Sequence, residues 1–249
     1  MTEYDNEQGQ RETHVVALSG GKDSTALALR LRELYPDRDF VWFCTPTGDE
    51  LPAMLAHWEY LEGVLGPITR VTNRTLDDWI DDFDALPNWR QRWCTRLLKI
   101  EPCLAYLAKL PNPVLYVGLR ADEEERKGIY SENVRTVFPL REWGWGLQEV
   151  RGYLAEKGVK IPKRTDCARC YGQRLSEWYE LWRDHRDLYE DAERQEAKVG
   201  NTFRSPGRDS WPASLEDLRA EFESGRKPRG VRDQVDMFDD GAACRVCRI

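Results

Sequence analysis

The sequence has no apolar run of the roughly 18–20 residues that a membrane-spanning helix needs. It also lacks the basic start and apolar stretch of a secretory signal, because residues 1–12 are polar and acidic. A positive overall charge is missing too, since the 249 residues carry a formal net charge of −7. A whole-protein positive field that attracts nucleic acid is therefore absent. We expect a cytoplasmic protein without a membrane partner.

Basic residues nevertheless cluster in two stretches. They are Arg90, Arg92, Arg96 and Lys99 in the first, and Lys160, Lys163, Arg164, Arg169 and Arg174 in the second. Solvated helix faces with ion pairs are the simplest interpretation of such clusters. A local face for a polyanion stays open as the alternative.

The hydrophobic pattern predicts an α/β fold. Apolar residues make up 41% and charged residues 33% of the chain, as is typical of a globular protein. Short apolar runs at 14–18, 40–44 and 114–119 predict buried strands, and amphipathic stretches at 24–35 and 51–65 predict helices. Strands that alternate with helices indicate a parallel sheet with helices on both faces.

The pattern changes near residue 140 and becomes mostly helical. We predict a helix over 92–110 that bends near Pro102, and one long helix over 173–198. Three segments follow from this pattern: an N-terminal tail (1–13), an α/β domain (14–160), and a smaller, mostly helical, cysteine-containing C-terminal part (161–249).

Trp178, Trp182 and Tyr189 fall near one face of the predicted long helix. A core stripe against the main domain is the expected role of these rings. Stacking against unpaired bases is the alternative.

The segment Ser19-Gly20-Gly21-Lys22-Asp23-Ser24 lies between the first predicted strand and helix. Two glycines let the backbone approach an anion without Cβ clashes, and a helix start presents free N–H groups and a positive dipole end. Ser19 and Ser24 can add hydroxyl donors, and Lys22 can add a charge. Asp23 suits a helix cap or a Mg²⁺ ligand. The spacing is too short for G-x-x-x-x-G-K-[ST], so we predict a phosphate loop of another class.

Ser-Gly-Gly-x-Asp-Ser is similar to the signature of the pyrophosphate-loop ATP enzymes, which cleave ATP between the α and β phosphates, usually to adenylylate a substrate. The wider resemblance covers roughly residues 14–175. It is to the phosphoadenosine phosphosulfate reductase branch, which includes sulfurtransferases for DNA phosphorothioation. The resemblance implies an adenine nucleotide α-hydrolase-like fold, an enzyme, and ATP bound with Mg²⁺.

Later segments resemble motifs of this branch in the same order. Thr47-Gly48 stands where the branch has Asp-Thr-Gly, with Pro46 in place of the aspartate. Residues 93–102 resemble its cysteine segment, which ends in a basic residue and proline. Residues 118–123 resemble its Gly-x-Arg motif, with Arg126 as the downstream arginine.

Arg120 and Arg126 suit phosphate or sulfate, because a guanidinium can donate two parallel bonds to an oxyanion. Arg120 directly follows a predicted strand, where open parallel sheets bind ligands; a surface arginine beside acidic neighbours is the alternative. Beyond the loop, the expected nucleotide contacts are Thr47, Gly48, Gly118 and Arg120. The expected catalytic residues are Asp23, Lys99, Arg120 and Arg126.

The seven cysteines include two C-x-x-C pairs. They are Cys44, Cys94, Cys103, Cys167, Cys170, Cys244 and Cys247. In a reducing cytosol this pattern favours a metal site or redox chemistry over disulfides. We expect Cys44 and Cys103 to be core residues.

Cys94, Cys167 and Cys170 resemble the pattern with which adenylylsulfate reductases bind a [4Fe-4S] cluster, although Trp93 replaces one cysteine of the first pair. The candidates for a fourth ligand are Cys103, Cys244, Cys247 or no protein residue. Two C-x-x-C pairs are also a reasonable Cys₄ zinc site, and spacing does not separate zinc from iron–sulfur.

Three hypotheses follow. The leading one is a two-step enzyme that adenylylates an acceptor, a nucleotide or nucleic acid. A cluster held by Cys94, Cys167 and Cys170 then delivers sulfur or electrons, which a donor protein replenishes. The second is a sulfonucleotide reductase, in which Cys244 and Cys247 would replace the Cys-Gly-Leu-His segment that this sequence lacks. The third is a zinc-stapled nucleotide-binding subunit without catalysis. The oligomeric state stays open.

Overall fold

The computed structural model describes residues 11–123, 125 and 134–231. These residues form the predicted α/β fold around one parallel sheet. Its strands are β1 (Thr13–Ala17), β2 (Phe40–Cys44), β3 (Ile68–Arg70), β4 (Pro113–Tyr116) and β5 (Arg135–Val137). The strand order is β3-β2-β1-β4-β5, and all four pairings are parallel.

Helices cover both faces of the sheet, as predicted. They are α1 (Lys22–Leu34), α2 (Pro52–Leu65), α3 (Leu76–Phe83), α4 (Trp93–Thr95), α5 (Glu101–Leu107), α6 (Pro139–Glu142), α7 (Leu147–Glu156), α8 (Leu175–Asp184), α9 (Arg186–Val199) and α10 (Leu215–Glu223). Val16 and Trp42 pack with α1, α2 and α7 on one face, whereas Val15 and Phe43 pack with α5 on the other. Among the described helices, none has the length and apolarity to cross a membrane.

The predicted long helix over 173–198 is wrong, because α8 and α9 are separate helices that meet at His185, whose φ of −139° and ψ of 62° break the helical path. The apolar spacing continues across the break, so periodicity alone does not reveal it. The predicted core role of the aromatic side chains is confirmed: Trp178 and Tyr189 are fully buried with ring centroids 6.3 Å apart, and Trp182 packs against the same cluster.

The predicted bend near Pro102 takes the form of a π-helical turn, Arg96–Ile100, between α4 and α5. Proline has no N–H and its ring crowds the carbonyl four residues earlier, which here belongs to Leu98. The wider turn accommodates that crowding. It also places Leu98 and Lys99 on the wall of a cavity that is described below.

A buried ion pair joins the C-terminal part to the sheet. Arg169 Nε and the Arg169 backbone N–H donate to the carboxylate of Asp49, over 2.6 and 2.8 Å. The Ala168 N–H donates to the Asp49 carbonyl, and the guanidinium of Arg169 also contacts Asp77 on α3 at 2.7 Å. The Asp49 and Arg169 side chains are only 1% and 5% exposed. Removing one partner would leave the other charge buried without compensation.

Glu196 connects α9 to the loop before α10. Its carboxylate accepts the backbone N–H groups of Phe203 and Leu215, at 2.8 and 2.7 Å. Burial nevertheless raises the pKa of Glu196 to about 7, against the two hydrogen bonds that favour the charged form. Folding therefore favours a protonated Glu196 at mildly acidic pH.

We expect Asp49→Asn to lower the free energy of unfolding by about 3–5 kcal/mol, because Arg169 stays buried beside a neutral group. Urea denaturation measures this loss. The matched control is Asp77→Asn on the same guanidinium, whose carboxylate is 48% exposed. Asp77→Asn should lower the free energy of unfolding by about 1 kcal/mol or less. Equal losses in the two variants would contradict the dominance of the Asp49 contact.

We expect Glu196 to make stability fall as the pH rises from about 5 to 8. The folded pKa lies above the ordinary value of 4.5, so the folded state binds the extra proton in this window and loses that advantage above pH 7. The contribution amounts to roughly 2–3 kcal/mol. Urea denaturation of Glu196→Gln at both pH values should show a correspondingly smaller decline. The stability of Glu216→Gln, a variant at an exposed position on α10, should decline with pH as much as that of the wild type.

Candidate nucleotide and thiol site

The loops after β1, β2 and β4 meet at the carboxyl edge of the sheet. The chain runs outward from β1 to β3 on one side and returns to β4 on the other, so β1 and β4 flank the topological switch point where such sheets bind ligands. Gly118, after β4, packs directly on the start of α1. A Cβ at Gly118 would lie 3.0 Å from the backbone of Asp23 and Ser24. The two loops thus form one surface.

The predicted phosphate loop needs glycine for a steric reason. Gly20 has a φ of +81°, and a Cβ there would lie 2.1 Å from Met54 Cε and 2.8 Å from Trp58 Nε1. Gly21 is the N-cap residue of α1 and no side chain caps the helix. The expectation that Asp23 caps the helix is therefore wrong. An uncapped helix start offers its first N–H groups to an anion.

The buried hydroxyl of Ser24 stabilises this loop through hydrogen bonds to its backbone. This hydroxyl accepts the Gly20 N–H, donates to the Gly21 carbonyl, both over 3.1 Å, and lies 3.0 Å from Ser19 Oγ. Ser24 is buried, whereas Ser19 is exposed. Of the two hydroxyls predicted to contact phosphate, Ser24 therefore has a structural role here, and Ser19 faces solvent.

Arg120 lies among carboxylates rather than at an open anion site. Its Nη1 donates to both oxygens of Asp23, at 3.1 and 3.0 Å, its Nε donates to Asp122 at 2.8 Å, and Nη2 lies 3.6 Å from Glu123. Burial raises the pKa of Asp23, and the positive charges of Lys22 and Arg120 oppose that rise. Arg120 thus holds Asp23 in place at the start of α1, a role that differs from the predicted oxyanion contact.

Glu50 already engages the polar groups of Thr47 and Gly48. The backbone N–H and hydroxyl of Thr47 donate to Glu50 Oε1 at 2.6 and 2.7 Å, and the Gly48 N–H donates to Oε2 at 3.1 Å. Gly48 has a φ of +77° and a Cβ there would lie 2.7 Å from Thr75, which explains the glycine. The donors predicted to contact nucleotide therefore hold an internal carboxylate.

The three informative cysteines reach one cavity. Cys94, Cys167 and Cys170 line one solvent-connected cavity, together with Lys99 and Thr47. Thr47 Oγ1 lies 3.5 Å from Cys167 Sγ. Cys94 thus meets Cys167 and Cys170 as predicted, although more than seventy positions separate it from that pair in the sequence. Within the described residues, however, no three His, Cys, Asp or Glu side chains form a group that could hold a metal ion.

Arg164 fixes the cysteine loop. Its guanidinium donates to Asp166, to Gln173 and to the Cys167 carbonyl, at 3.0, 2.9 and 3.0 Å. The same loop passes the phosphate loop, since Thr165 Oγ1 lies 3.7 Å from the position of a Cβ on Gly21. One short segment therefore connects the phosphate loop to the thiol cavity.

The remaining predicted residues divide into two groups. Cys44 is buried and Cys103 packs against the cluster around α5, and burial raises their thiol pKa values to about 12 and about 11, as suits core cysteines. Arg126, Cys244 and Cys247 lie outside the described residues.

Sequence reasoning missed the roles of Asp49 and Glu50. Both directly follow Thr47-Gly48 after a strand, which was the available signal, but only the tertiary contacts reveal their partners. Arg164 and Arg169 form ion pairs, as expected for the second basic cluster, but both are buried in a loop, so the expected solvated helix face is wrong for them. Lys163 pairs with Glu180.

The sequence model of the phosphoadenosine phosphosulfate reductase domain matches residues 13–165, which is more than half of the chain. Among solved structures, the chain is similar to phosphoadenylyl-sulfate reductase from Candida auris in a phosphate complex, with a TM-score of 0.49 and 14% identity over 60% of this chain and 74% of that chain. No curated protein matches the sequence significantly. The chain belongs to the phosphoadenosine phosphosulfate reductase domain family.

Proposed function

We propose that this chain is an ATP-dependent sulfurtransferase, which adenylylates an acceptor and then delivers sulfur to it. The observation that carries the proposal is the direct connection between the phosphate loop and the thiol cavity through Thr165 and Cys167. An activated acceptor bound at the loop would have three thiols within one neighbouring cavity. Activation as an adenylate turns a poor leaving group into a good one, which is the chemistry that precedes sulfur transfer.

The phosphates of ATP suit the uncapped start of α1. Gly20 and Gly21 leave the backbone open there, and the dipole of α1 favours a negative charge. Lys22, in the first turn, adds a positive charge that stabilises departing pyrophosphate. Asp23 fits a Mg²⁺ ligand poorly, because both of its oxygens accept from Arg120. We therefore assign Mg²⁺ to the ATP phosphates and give Asp23 and Arg120 a positioning role.

The three thiols do not form a metal-holding group among the described residues of this structure, and the support for a thiolate-bound group is the chemistry of three cysteine donors on one cavity. Cys94, Cys167 and Cys170 would hold a [4Fe-4S] cluster, which supplies sulfide or electrons when bound; zinc is the alternative. Lys99 lies on the same wall and stabilises negative charge that develops there. The Arg164 and Arg169 contacts keep the loop with Cys167 and Cys170 in position.

The rival function is a sulfonucleotide reductase. The family match favours it, because the matching domain carries that activity in its description. In this case the phosphate loop binds the sulfonucleotide, no ATP is cleaved, and a thiol attacks sulfur. A donor of electrons, such as a dithiol protein, would then complete the reaction.

Product analysis separates the two functions. We expect pyrophosphate from ATP in the presence of an acceptor, with sulfur incorporated into that acceptor. Incubation with phosphoadenylyl sulfate and a dithiol reductant should release no sulfite. Sulfite without any pyrophosphate, across nucleotide, RNA and DNA acceptors, would establish the reductase and overturn the proposal.

We expect Gly118→Ala to weaken ATP binding by about tenfold or more, because its Cβ would press on the backbone at the start of α1. Isothermal titration calorimetry measures the change. Gly63→Ala is the matched control, since a Cβ at this α2 position has nothing within 4 Å among the described residues. Wild-type affinity in Gly118→Ala would show that nucleotide does not bind at the switch point.

We expect the anaerobically purified protein to contain iron and acid-labile sulfide. Cys94→Ser, Cys167→Ser and Cys170→Ser should each lose the bound metal, because these thiols share the cavity. Cys103→Ser should keep it, since that side chain packs against a different cluster. Zinc without iron would select the zinc alternative, and unchanged metal content in all three cavity variants would refute the ligand assignment.

A further inference from the structure

The segment between α3 and α4 carries an exposed aromatic ring beside the thiol cavity. Trp89 is 49% exposed, the highest fraction among the large exposed apolar side chains of the described residues. Two residues before it, Pro87 lines the cavity. The proposed function gives no task to Trp89, although its ring contacts Tyr171 on the wall of the thiol cavity.

A turn and a buried partner hold this ring in place. Asn88 Oδ1 accepts the backbone N–H groups of Arg90 and Gln91, at 2.9 and 3.0 Å. Trp89 meets Tyr171 edge to face, with ring centroids 5.2 Å apart and an interplanar angle of 87°. Tyr171 is buried and lines the cavity. The indole is thus preorganised, which lowers the entropic cost of stacking a ligand on it.

The surroundings of Trp89 are cationic and polar. Residues 88–92 contain Arg90 and Arg92 and no acidic residue. Both arginines are exposed, and within the described residues neither forms an ion pair with a carboxylate, whereas the nearby Arg96 pairs with Glu101 at 3.1 Å. Arg92 lies close enough to Tyr171 to oppose the burial that raises the pKa of that phenol. In a chain of net charge −7, this is a local basic patch.

This combination fits an unpaired base and its phosphates better than a protein surface. The sequence neighbours of Trp89 are Asn88, Arg90 and Gln91, which offer hydrogen-bond donors and positive charge beside the ring. An aromatic platform beside arginines is how proteins hold single-stranded nucleic acid. The platform lies outside the cavity, so a ligand that contacts both must extend beyond one nucleotide.

We infer that the acceptor is single-stranded nucleic acid, with one base stacked on Trp89, flanking phosphates on Arg90 and Arg92, and the reacting nucleotide in the thiol cavity. The inference rests on the proposed function and names its substrate class. The contacts with Trp89, Arg90 and Arg92 lie outside the phosphate loop, so their contribution to binding can be measured without ATP.

The test is fluorescence anisotropy with a fluorescein-labelled single strand of about 12 nucleotides, as RNA and as DNA, without ATP. Trp89→Ala should raise the Kd by roughly 5- to 100-fold, and Trp89→Phe should raise it less. Tyr60→Ala removes another exposed ring, 47% exposed on α2, and should leave the Kd unchanged. Arg90→Gln with Arg92→Gln should weaken binding and lower the salt slope by about 1.4.

Two results would overturn the inference. One is an unchanged Kd in both Trp89 variants, with their melting temperatures like that of the wild type. The other is a Trp89→Ala variant that still binds the single strand but no longer forms a complex with a reduced dithiol protein. That result would make the patch a protein-docking surface. Binding through Trp89 without pyrophosphate release would refute the proposed function alone. Pyrophosphate release with Trp89-independent binding would refute this inference alone.

Discussion

The contact between Asp49 and Arg169 is the constraint on which the site depends. It joins residues 120 positions apart and carries the loop with Cys167 and Cys170 to the carboxyl edge of the sheet. A buried ion pair is a costly way to connect two segments, because both charges lose their hydration. Two backbone contacts beside the ion pair make this alignment specific. They are the hydrogen bond from the Ala168 N–H to the Asp49 carbonyl and the β-bridge between Glu50 and Cys167.

Internal partners satisfy many polar groups that a sequence motif assigns to ligands. Arg120 holds Asp23, Glu50 accepts the donors of Thr47, and Ser24 braces the glycine turn. Such contacts preorganise the loops around the start of α1 and leave that start uncapped. The proposed anion site would therefore consist mainly of backbone N–H groups and a helix dipole, and side chains would set its shape.

Local features of the sequence predict most of the sheet. The strand β2 has the predicted bounds, and the glycine turn after β1 leads into a helix as expected. Short or interrupted elements are harder to predict from the sequence. The capping box of Thr75 and Asp78 marks the start of α3, but the helix is too short for a clear periodic signal. The break at His185 was missed, because helical spacing continues through it while tertiary packing turns the chain.

The sequence by itself determined the glycine turn between β1 and α1, the parallel sheet and the buried aromatic stripe, because each depends on neighbouring residues or on a repeating pattern. Only the tertiary structure decided that Cys94, Cys167 and Cys170 share a cavity, and that Thr165, two residues before Cys167, lies against Gly21. It also decided that Arg120 pairs with Asp23 instead of facing an open anion site. These are contacts between distant segments, and their partners follow from how the loops pack at the edge of the sheet.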